Sequence, residues 1–297
     1  GPGSRADTFQ CLRPASAESP LAGRESRRSR PTRSVPETRP QSSSHPGARP
    51  VLPAIRQRLE QLRNEMNKEG KGKGNQLNPL IKELEQQEKA AVVQHDLTPT
   101  KVGLTMGEAI HQINQYKADD AVLVTDVGQH QMVACRYAKF NHTRSNITSG
   151  GLGTMGFALP AAIGAKFGAQ DKTVVAVIGD GGFQMTIQEL GTIMQSGIDV
   201  KILILNNQFL GMVRQWQELF NERRYSFVDI TSPDFVAVAK GYYISGHKVS
   251  ERKDLVSSLK TMLDHKGSYL LEVMVTKENN VFPMVPQGCS VSEIRLK

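Results

Sequence analysis

Two short apolar runs that each end in polar or glycine residues constrain this fold more than any other feature of the sequence. Val174–Ile178 runs into Gly-Asp-Gly-Gly at residues 179–182, and Leu203–Leu205 runs into Asn-Asn at residues 206–207. Runs of this kind are typical of strands that are buried on both faces of a parallel sheet. Phe183–Ser196 lies between them with apolar residues at helical spacing. The pattern therefore predicts a strand–helix–strand unit.

The residues that follow the two strands have side chains that could bind a ligand. Because parallel strands end at one edge of a sheet, we expect Asp180 and Asn207 in one crevice, where open α/β sheets bind ligands. Carboxylate and carboxamide oxygens suit Mg²⁺, which often shares its site with phosphates. Gly181 and Gly182 leave the backbone free to approach a diphosphate. Taken alone, the same residues also fit an ordinary strand–helix turn followed by an Asn-rich loop.

The spacing of the two motifs resembles the signature of the thiamine-diphosphate enzymes, with 24 residues between Gly-Asp-Gly and Asn-Asn. Four further stretches resemble the catalytic subunit of the acetohydroxyacid synthase (acetolactate synthase) family: Asp126–Met132, Ser149–Phe157, Leu210–Trp216 and Pro283–Pro286. The resemblance runs from about Leu97 to the end of the sequence. It implies an α/β fold with a doubly wound, mostly parallel sheet and helices on both faces.

The resemblance also implies a set of site residues. The metal ligands would be Asp180, Asn207 and the main-chain carbonyl of Phe209. The cofactor-binding residues would be Gly128, Gln129, His130, Gly153, Met155, Gly179, Asp180, Gly181, Gly182, Asn207, Phe209, Leu210, Gly211 and Met212. Gln129 and His130 would donate to the diphosphate, and Met155 would lie beneath the pyrimidine.

Two residues are assigned catalytic roles by the same resemblance. Met212 would bend the cofactor, and Trp216 would line the substrate channel. Without the resemblance each of these residues has a simpler interpretation. A Met near a helix start usually fills a core, and Trp216 fits a subunit interface. A lone His after a strand, such as His130, is usually a surface or capping residue.

The implied reaction is the decarboxylation of pyruvate, dependent on thiamine diphosphate and Mg²⁺, and carboligation to a second 2-oxo acid such as 2-oxobutyrate. The implied partners are a second copy or higher homo-oligomer and a possible regulatory small subunit. In the family, FAD binds a central domain and an essential Glu lies on a pyrimidine-binding domain. No segment here resembles either domain. We therefore expect a fragment that is inactive alone, unless Glu189 or Glu218 supplies the missing carboxylate.

The first part of the sequence differs in composition from the rest. Gly1–Ser4 resembles a protease-cleavage scar, and residues 1–50 are rich in Arg, Pro and Ser, which predicts a disordered basic tail. Residues 51–96 are interpreted as a helical linker with helices at Leu52–Met66 and Asn78–Ala91. Residues 97–297 are interpreted as the diphosphate-binding domain. The formal charge of +8 comes entirely from residues 1–74.

A second function class follows from that charge. The chain could be a non-catalytic diphosphate-binding module whose basic arm, densest at residues 24–33, binds nucleic acid. Nucleic-acid binding is disfavoured because no aromatic residue lies within the Arg cluster. Cys11, Cys135 and Cys289 have no metal-binding or disulfide-framework spacing, which favours the cytoplasm. No apolar run approaches 18 residues, so no membrane span is expected.

Downstream of the motifs the pattern completes the sheet. The remaining predicted elements are helices at Ala158–Ala169, Met212–Asn221, Asp234–Lys240 and Glu251–His265, and strands at Tyr242–Ser245 and Tyr269–Val275. The Pro-rich segment Asn279–Gly288 is irregular. The resemblance implies that this segment folds over the site as a lid.

Overall fold

A computed structural model of the chain describes residues 77–99, 103–290 and 293–296. Its α-helices are α1 Leu77–Glu88, α2 Gln94–Leu97, α3 Met106–Tyr116, α4 Gln129–Tyr137, α5 Ala158–Gly168, α6 Asp180–Met185, α7 Leu190–Ser196, α8 Gly211–Phe220, α9 Phe235–Gly241 and α10 Arg252–Asp264. Its strands are β1 Val122–Thr125, β2 Asn146–Thr148, β3 Val174–Gly179, β4 Lys201–Asn206, β5 Ser245–Val249 and β6 Tyr269–Met274. No helix in the described part of the chain has the length and apolar character needed to cross a bilayer.

The six strands form one parallel sheet in the order β2-β1-β3-β4-β6-β5. The central strands β3 and β4 are fully buried, as their continuous apolar runs predict. They pair directly, with Val177 opposite Leu203 and Gly179 opposite Leu205. The predicted fold class, a parallel sheet with helices, is confirmed.

Alternate residues of each strand face two separate cores, because side chains along a strand point to opposite faces of the sheet. On one face, Val175 and Val177 of β3 pack with apolar residues of α3, α4 and α10. On the other face, Ala176 and Ile178 pack with α5, α7 and α9. Helices therefore cover both faces, which fixes the carboxyl edge of the sheet as the place where strand-end residues meet.

The predicted single helix Phe183–Ser196 is divided in the structure. α6 ends at Met185, a short 3₁₀ turn covers Ile187–Glu189, and α7 follows. Thr186 leaves the helical conformation with φ −134°. Its hydroxyl donates to the carbonyl of Gly156 at 2.9 Å. This contact ties the crossover to a loop 30 residues away in sequence, which local periodicity does not reveal.

The predicted strand Tyr242–Ser245 is also displaced. α9 is followed by a turn in which Tyr243 has a φ of 59°, and the strand itself is Ser245–Val249. β5 lies at the edge of the sheet and is only partly buried. The apolar residues are therefore concentrated in the turn, and the strand itself is mostly polar. This explains why the sequence pattern placed the strand too early.

The helical segment before the domain packs against it. A π-helical turn, Lys89–Val93, joins α1 to α2, and Val92 and Asp96 are buried. The Tyr137 hydroxyl donates to the Asp96 carboxylate at 2.7 Å. The predicted basic tail 1–50 and the predicted helix Leu52–Met66 lie outside the described residues.

Candidate functional site

The candidate site lies where β1, β3 and β4 end side by side. β1 pairs with β3 and β3 pairs with β4, all in parallel. Three polar residues follow these strand ends: Asp126, Asp180 and Asn207. Their exposed fractions are 0%, 1% and 4%. Burying polar groups costs free energy unless hydrogen-bond or charge partners compensate for the lost water. The contacts of these three residues therefore indicate which ligand this edge of the sheet could bind.

Asp126 fills the space beside the second motif glycine. One carboxylate oxygen accepts the main-chain N–H of Gly156 at 2.9 Å, and the other bonds to the His130 ring. A Cβ atom added at Gly182 would lie 2.0 Å from the Asp126 carboxylate oxygen. Gly182 is therefore required because a buried carboxylate from the neighbouring strand end packs against its Cα.

His130 is buried between two further motif glycines. A Cβ added at either Gly128 or Gly179 would come within 2.9 Å of its Nδ1. The Nε2 atom bonds to Asp126. The imidazole thus lies between the ends of β1 and β3. Its described contacts are all with protein atoms. Its predicted role as a diphosphate donor stays a prediction.

We expect Gly182→Ala to destabilise the fold, because the new methyl group would overlap the Asp126 carboxylate. Overpacking of this kind costs about 1–3 kcal/mol, and displacing a buried carboxylate adds to it. Urea unfolding of both proteins measures the change. Gly164→Ala in α5 is the matched control, since nothing lies within 4 Å of its added Cβ. Helix propensity should make that control more stable by about 0.5–1 kcal/mol. Equal stability of the two variants would contradict this packing.

Asp180 begins α6 directly after β3. Burial raises the pKa of its carboxyl group to about 6, and the Ser232 hydroxyl, which donates at 3.0 Å, acts in the opposite direction. No Lys or Arg of the described residues forms an ion pair with Asp180. A buried carboxylate without a cationic partner is the kind of group that a bound cation stabilises.

Asn207 and Phe209 lie on the loop after β4. The neighbouring residues Gln208 and Leu210 bond to the segment 228–230 through their main-chain groups. The main-chain groups of Phe209 therefore face the other way. Its N–H donates to Asn207 Oδ1 at 3.3 Å. The main chain of Phe209 and the side chain of Asn207 are thus on the same side of the loop.

The donor set of this edge fits a hard cation. It combines one carboxylate, one carboxamide oxygen and a main-chain carbonyl, and all three are oxygen donors of the kind that Mg²⁺ prefers. Within the described ranges there is no group of three His, Cys, Asp or Glu residues that could hold a metal. A cation here would depend on Asp180 together with amide and main-chain oxygens. The predicted ligands therefore fit Mg²⁺ chemically.

Apolar side chains cover Gly181. A Cβ added there would meet Leu210 at 3.0 Å, Ile230 at 3.3 Å and Met155 at 3.8 Å. The structure therefore brings together three of the predicted cofactor contacts, from three different segments. Ile230 was not predicted, because it lies in a segment with no motif of its own.

Three predicted residues lie outside this buried cluster. Gly153 is in an exposed loop with a φ of 64°, and nothing lies within 4 Å of its added Cβ. Met212 is half-buried near the start of α8. Trp216 is 38% exposed, and its ring packs on Phe220 at 4.8 Å between ring centres. The described contacts do not join Trp216 to Asp180.

Gln129 has partners that the sequence did not predict. Its amide nitrogen donates to Gln215 Oε1 at 3.0 Å and to the Asn279 carbonyl at 2.9 Å. Its oxygen accepts the Asn207 amide at 3.3 Å. Both amide hydrogens are therefore used within the protein. Donation to a diphosphate, the predicted role, would require one of these bonds to be exchanged.

Sequence reasoning missed Arg214, which is fully buried on α8. It forms an ion pair with Glu218 and donates to the carbonyl of Asn279 at 3.1 Å and to the Asn280 side chain. The Phe209 ring lies 5.8 Å from its guanidinium carbon. The one sequence feature that could have indicated this buried Arg is the polar pair Arg214-Gln215, which lies among apolar residues of an amphipathic helix.

The segment that carries this site is similar to known proteins. Residues 126–273 match the family model described as thiamine pyrophosphate enzyme, C-terminal TPP binding domain. The chain is 45% identical over 195 residues to acetolactate synthase isozyme 2 large subunit of Escherichia coli (strain K12), covering 63% of this chain and 36% of that protein. It is 44% identical over 201 residues to acetolactate synthase large subunit of Lactococcus lactis subsp. lactis (strain IL1403), covering 67% and 34%.

A solved structure shows the same architecture. The thiamine diphosphate-dependent 4-hydroxybenzoylformate decarboxylase of Rhodococcus jostii RHA1 superposes with a TM-score of 0.56 at 29% identity. The match covers 60% of this chain and 33% of that one. The chain thus spans about a third of the length of the relatives that it matches.

Proposed function

Because residues 126–273 belong to the thiamine pyrophosphate enzymes as their C-terminal TPP-binding domain, we propose that the chain supplies the cofactor site of an acetolactate synthase. The observation that carries this proposal is the buried carboxylate of Asp180, which has no ion-pair partner among the described residues and follows β3 beside the β4 end that bears Asn207. Asp180, Asn207 and the Phe209 carbonyl would hold Mg²⁺, which in turn holds the diphosphate.

The bound thiamine diphosphate would supply the electron sink for decarboxylation of a 2-oxo acid. The residues of this chain would bind and orient it. The absence of a side chain at Gly181 lets Met155 and Leu210 pack over the start of α6, where they would exclude water from the bound cofactor. Asp126 and His130 bond to each other after β1 and pack against Gly182 and Gly179 at the end of β3, which would fix the two strand ends side by side.

The finer assignments are also proposals. Pyruvate is the proposed first substrate, and pyruvate or 2-oxobutyrate the second. The protein is further proposed to form a homo-oligomer, to bind a regulatory small subunit and to lie in the cytoplasm. FAD would bind on another domain. The matched family and both relatives are enzymes, so the alternative of a non-catalytic module with a nucleic-acid-binding arm gains no support.

The proposal is tested on the protein encoded by the complete reading frame. We expect acetolactate formation from pyruvate that requires both Mg²⁺ and thiamine diphosphate. Trp216→Leu in that protein should change the ratio of products formed from pyruvate and 2-oxobutyrate about tenfold, since one methylene in an apolar pocket is worth 10–200-fold. Tyr243→Leu is the control, because Tyr243 is an exposed aromatic residue in the turn before β5.

Cofactor-independent turnover would overturn the proposed function. An unchanged product ratio in the Trp216 variant would remove Trp216 from the channel and leave the rest of the proposal standing. A change of equal size in the Tyr243 control would show that the ratio responds to general perturbation.

A further inference from the structure

The orientation of the Asn207 carboxamide decides whether it can bind a cation. Only its oxygen can coordinate Mg²⁺, because the NH₂ group is a donor. Two bonds select one orientation. Phe209 N–H donates to Asn207 Oδ1 at 3.3 Å, and Asn207 Nδ2 donates to Gln129 Oε1 at 3.3 Å. Gln129 therefore holds the nitrogen away from the cation site and leaves the oxygen on the side of the Phe209 main chain.

Gln129 is itself held from its other end. Its two amide hydrogens go to Gln215 Oε1 and to the carbonyl of Asn279. Gln215 in turn accepts the N–H of Val281 at 2.8 Å and donates to the Val281 carbonyl at 2.9 Å. A continuous set of amide bonds therefore runs from the segment 279–281 through Gln215 and Gln129 to Asn207. We call these residues the amide relay.

The packing around the relay is tight. A Cβ added at Gly211 would lie 2.2 Å from Gln129 Oε1 and 2.9 Å from Asn207 Nδ2, so only glycine leaves room for this pair. On its other side Gln129 borders a cavity of about 10 Å³, which is enough for one water molecule but not for a phosphate. The Gln129 amide nitrogen itself is directed at Gln215 Oε1 and the Asn279 carbonyl.

Arg214 anchors the end of the relay that is distant from the metal. Its guanidinium donates to the Asn279 carbonyl and to the Asn280 side chain, while α8 carries both Arg214 and Gln215. The segment 279–281 is therefore bonded to α8 through Arg214 and Gln215, and to the start of α4 through Gln129.

We propose that Gln129 is a positioning residue for the metal, and that docking of residues 279–281 on α8 sets the cation affinity through the amide relay. This inference rests on the proposed function of the site. It differs from the role implied by the family resemblance, in which the Gln129 amide donates to the diphosphate. In the relay, Gln129 acts on the cation by fixing which atom of Asn207 faces it.

The two roles predict opposite effects of a change at Gln215, whose one described side-chain contact with the predicted site residues is its hydrogen bond to Gln129. If Gln129 serves the relay, Gln215→Leu frees the Gln129 amide to rotate, and the cation should bind more weakly. If Gln129 serves the diphosphate directly, the same change releases its N–H groups from an internal partner, and the cofactor complex should bind more tightly.

The experiment is a titration of the chain with Mg²⁺ at saturating thiamine diphosphate, followed by calorimetry and by the fluorescence of Trp216, the only Trp in the sequence. We expect Gln129→Met to weaken Mg²⁺ binding at least tenfold, since loss of a partner of a metal ligand typically costs 10–100-fold. Gln215→Leu should weaken it severalfold. The double variant should be no weaker than Gln129→Met, because both changes break one relay.

Gln217→Leu is the matched control. Gln217 lies two residues further along α8 and pairs with the main chain of Ser226, outside the relay. Its Mg²⁺ affinity should stay within about twofold of the unaltered chain. The unfolding temperature of each variant is also measured without Mg²⁺. A positioning role predicts an unfolding temperature close to that of the unaltered chain, whereas a folding defect would lower it in every variant that binds Mg²⁺ poorly.

Unchanged Mg²⁺ affinity in Gln129→Met, tighter binding in Gln215→Leu, or additive losses in the double variant would each overturn the relay while leaving the proposed function standing. Failure of the unaltered chain to bind Mg²⁺ with thiamine diphosphate would overturn the proposed function, and the relay with it.

Discussion

Replacing Asp180 with Asn is expected to abolish the Mg²⁺-dependent binding of thiamine diphosphate, with a loss of at least about 100-fold. The change removes the one carboxylate from the proposed site and leaves the diphosphate charge without a well-held cation. Calorimetric titration at fixed Mg²⁺ measures the loss. Asp264→Asn is the control, because Asp264 is an exposed residue at the end of α10.

The same variant should be more stable than the unaltered chain when no metal is present. Burial raises the pKa of Asp180 to about 6 from 3.8, so the folded state holds this proton more tightly than the unfolded state. The ionised carboxylate therefore lowers the free energy of unfolding as pH rises from about 4 to 6, by up to about 3 kcal/mol. Asp180→Asn should recover this amount at pH 8 and gain little at pH 4.

Two outcomes would contradict the assignment of Asp180. One is a variant that binds the cofactor with Mg²⁺ as tightly as the unaltered chain. The other is a variant that is less stable than the unaltered chain at pH 8 without metal, since that would show the carboxylate to be satisfied within the protein.

The second large effect concerns activity. We expect the 297-residue chain, saturated with Mg²⁺ and thiamine diphosphate, to form acetolactate from pyruvate at close to the background rate. The matched segment covers only 36% and 34% of the two relatives, and the resemblance assigns the essential Glu to a pyrimidine-binding domain that no segment of this sequence resembles. Loss of such acid–base help costs ~10²–10⁴-fold, and loss of a closed, water-excluding site costs more.

The two carboxylates that could replace the missing Glu are already engaged. Glu218 pairs with Arg214, and Glu189 accepts the Thr192 hydroxyl at 2.8 Å. Assay of product formation by the chain, compared with the protein from the complete reading frame, checks this prediction. Robust turnover by the chain alone would show that a carboxylate within it performs the task.

The sequence was most informative where the chemistry depends on local pattern. Two apolar runs with polar ends predicted the parallel pairing of β3 and β4, and the structure confirms it. This succeeded because strand burial and the strand–helix–strand connection are encoded within about 35 residues. The parallel fold followed from the same pattern.

The sequence was least informative where a residue is defined by distant partners. Gln129 meets Asn279 across 150 positions, and Arg214 meets Asn280 across 66. Neither periodicity nor composition contains these contacts. The roles of the glycines show the same limit. Gly182 was predicted to approach a diphosphate, and the structure adds the packed carboxylate of Asp126 as a reason why no side chain fits there.

The measurement that tests the account most directly is a calorimetric titration of thiamine diphosphate into the unaltered chain, with and without Mg²⁺. We expect a single site that requires the metal, because Asp180 and Asn207 would hold the diphosphate through the cation and not by direct contact. Metal-independent binding of equal strength would contradict it.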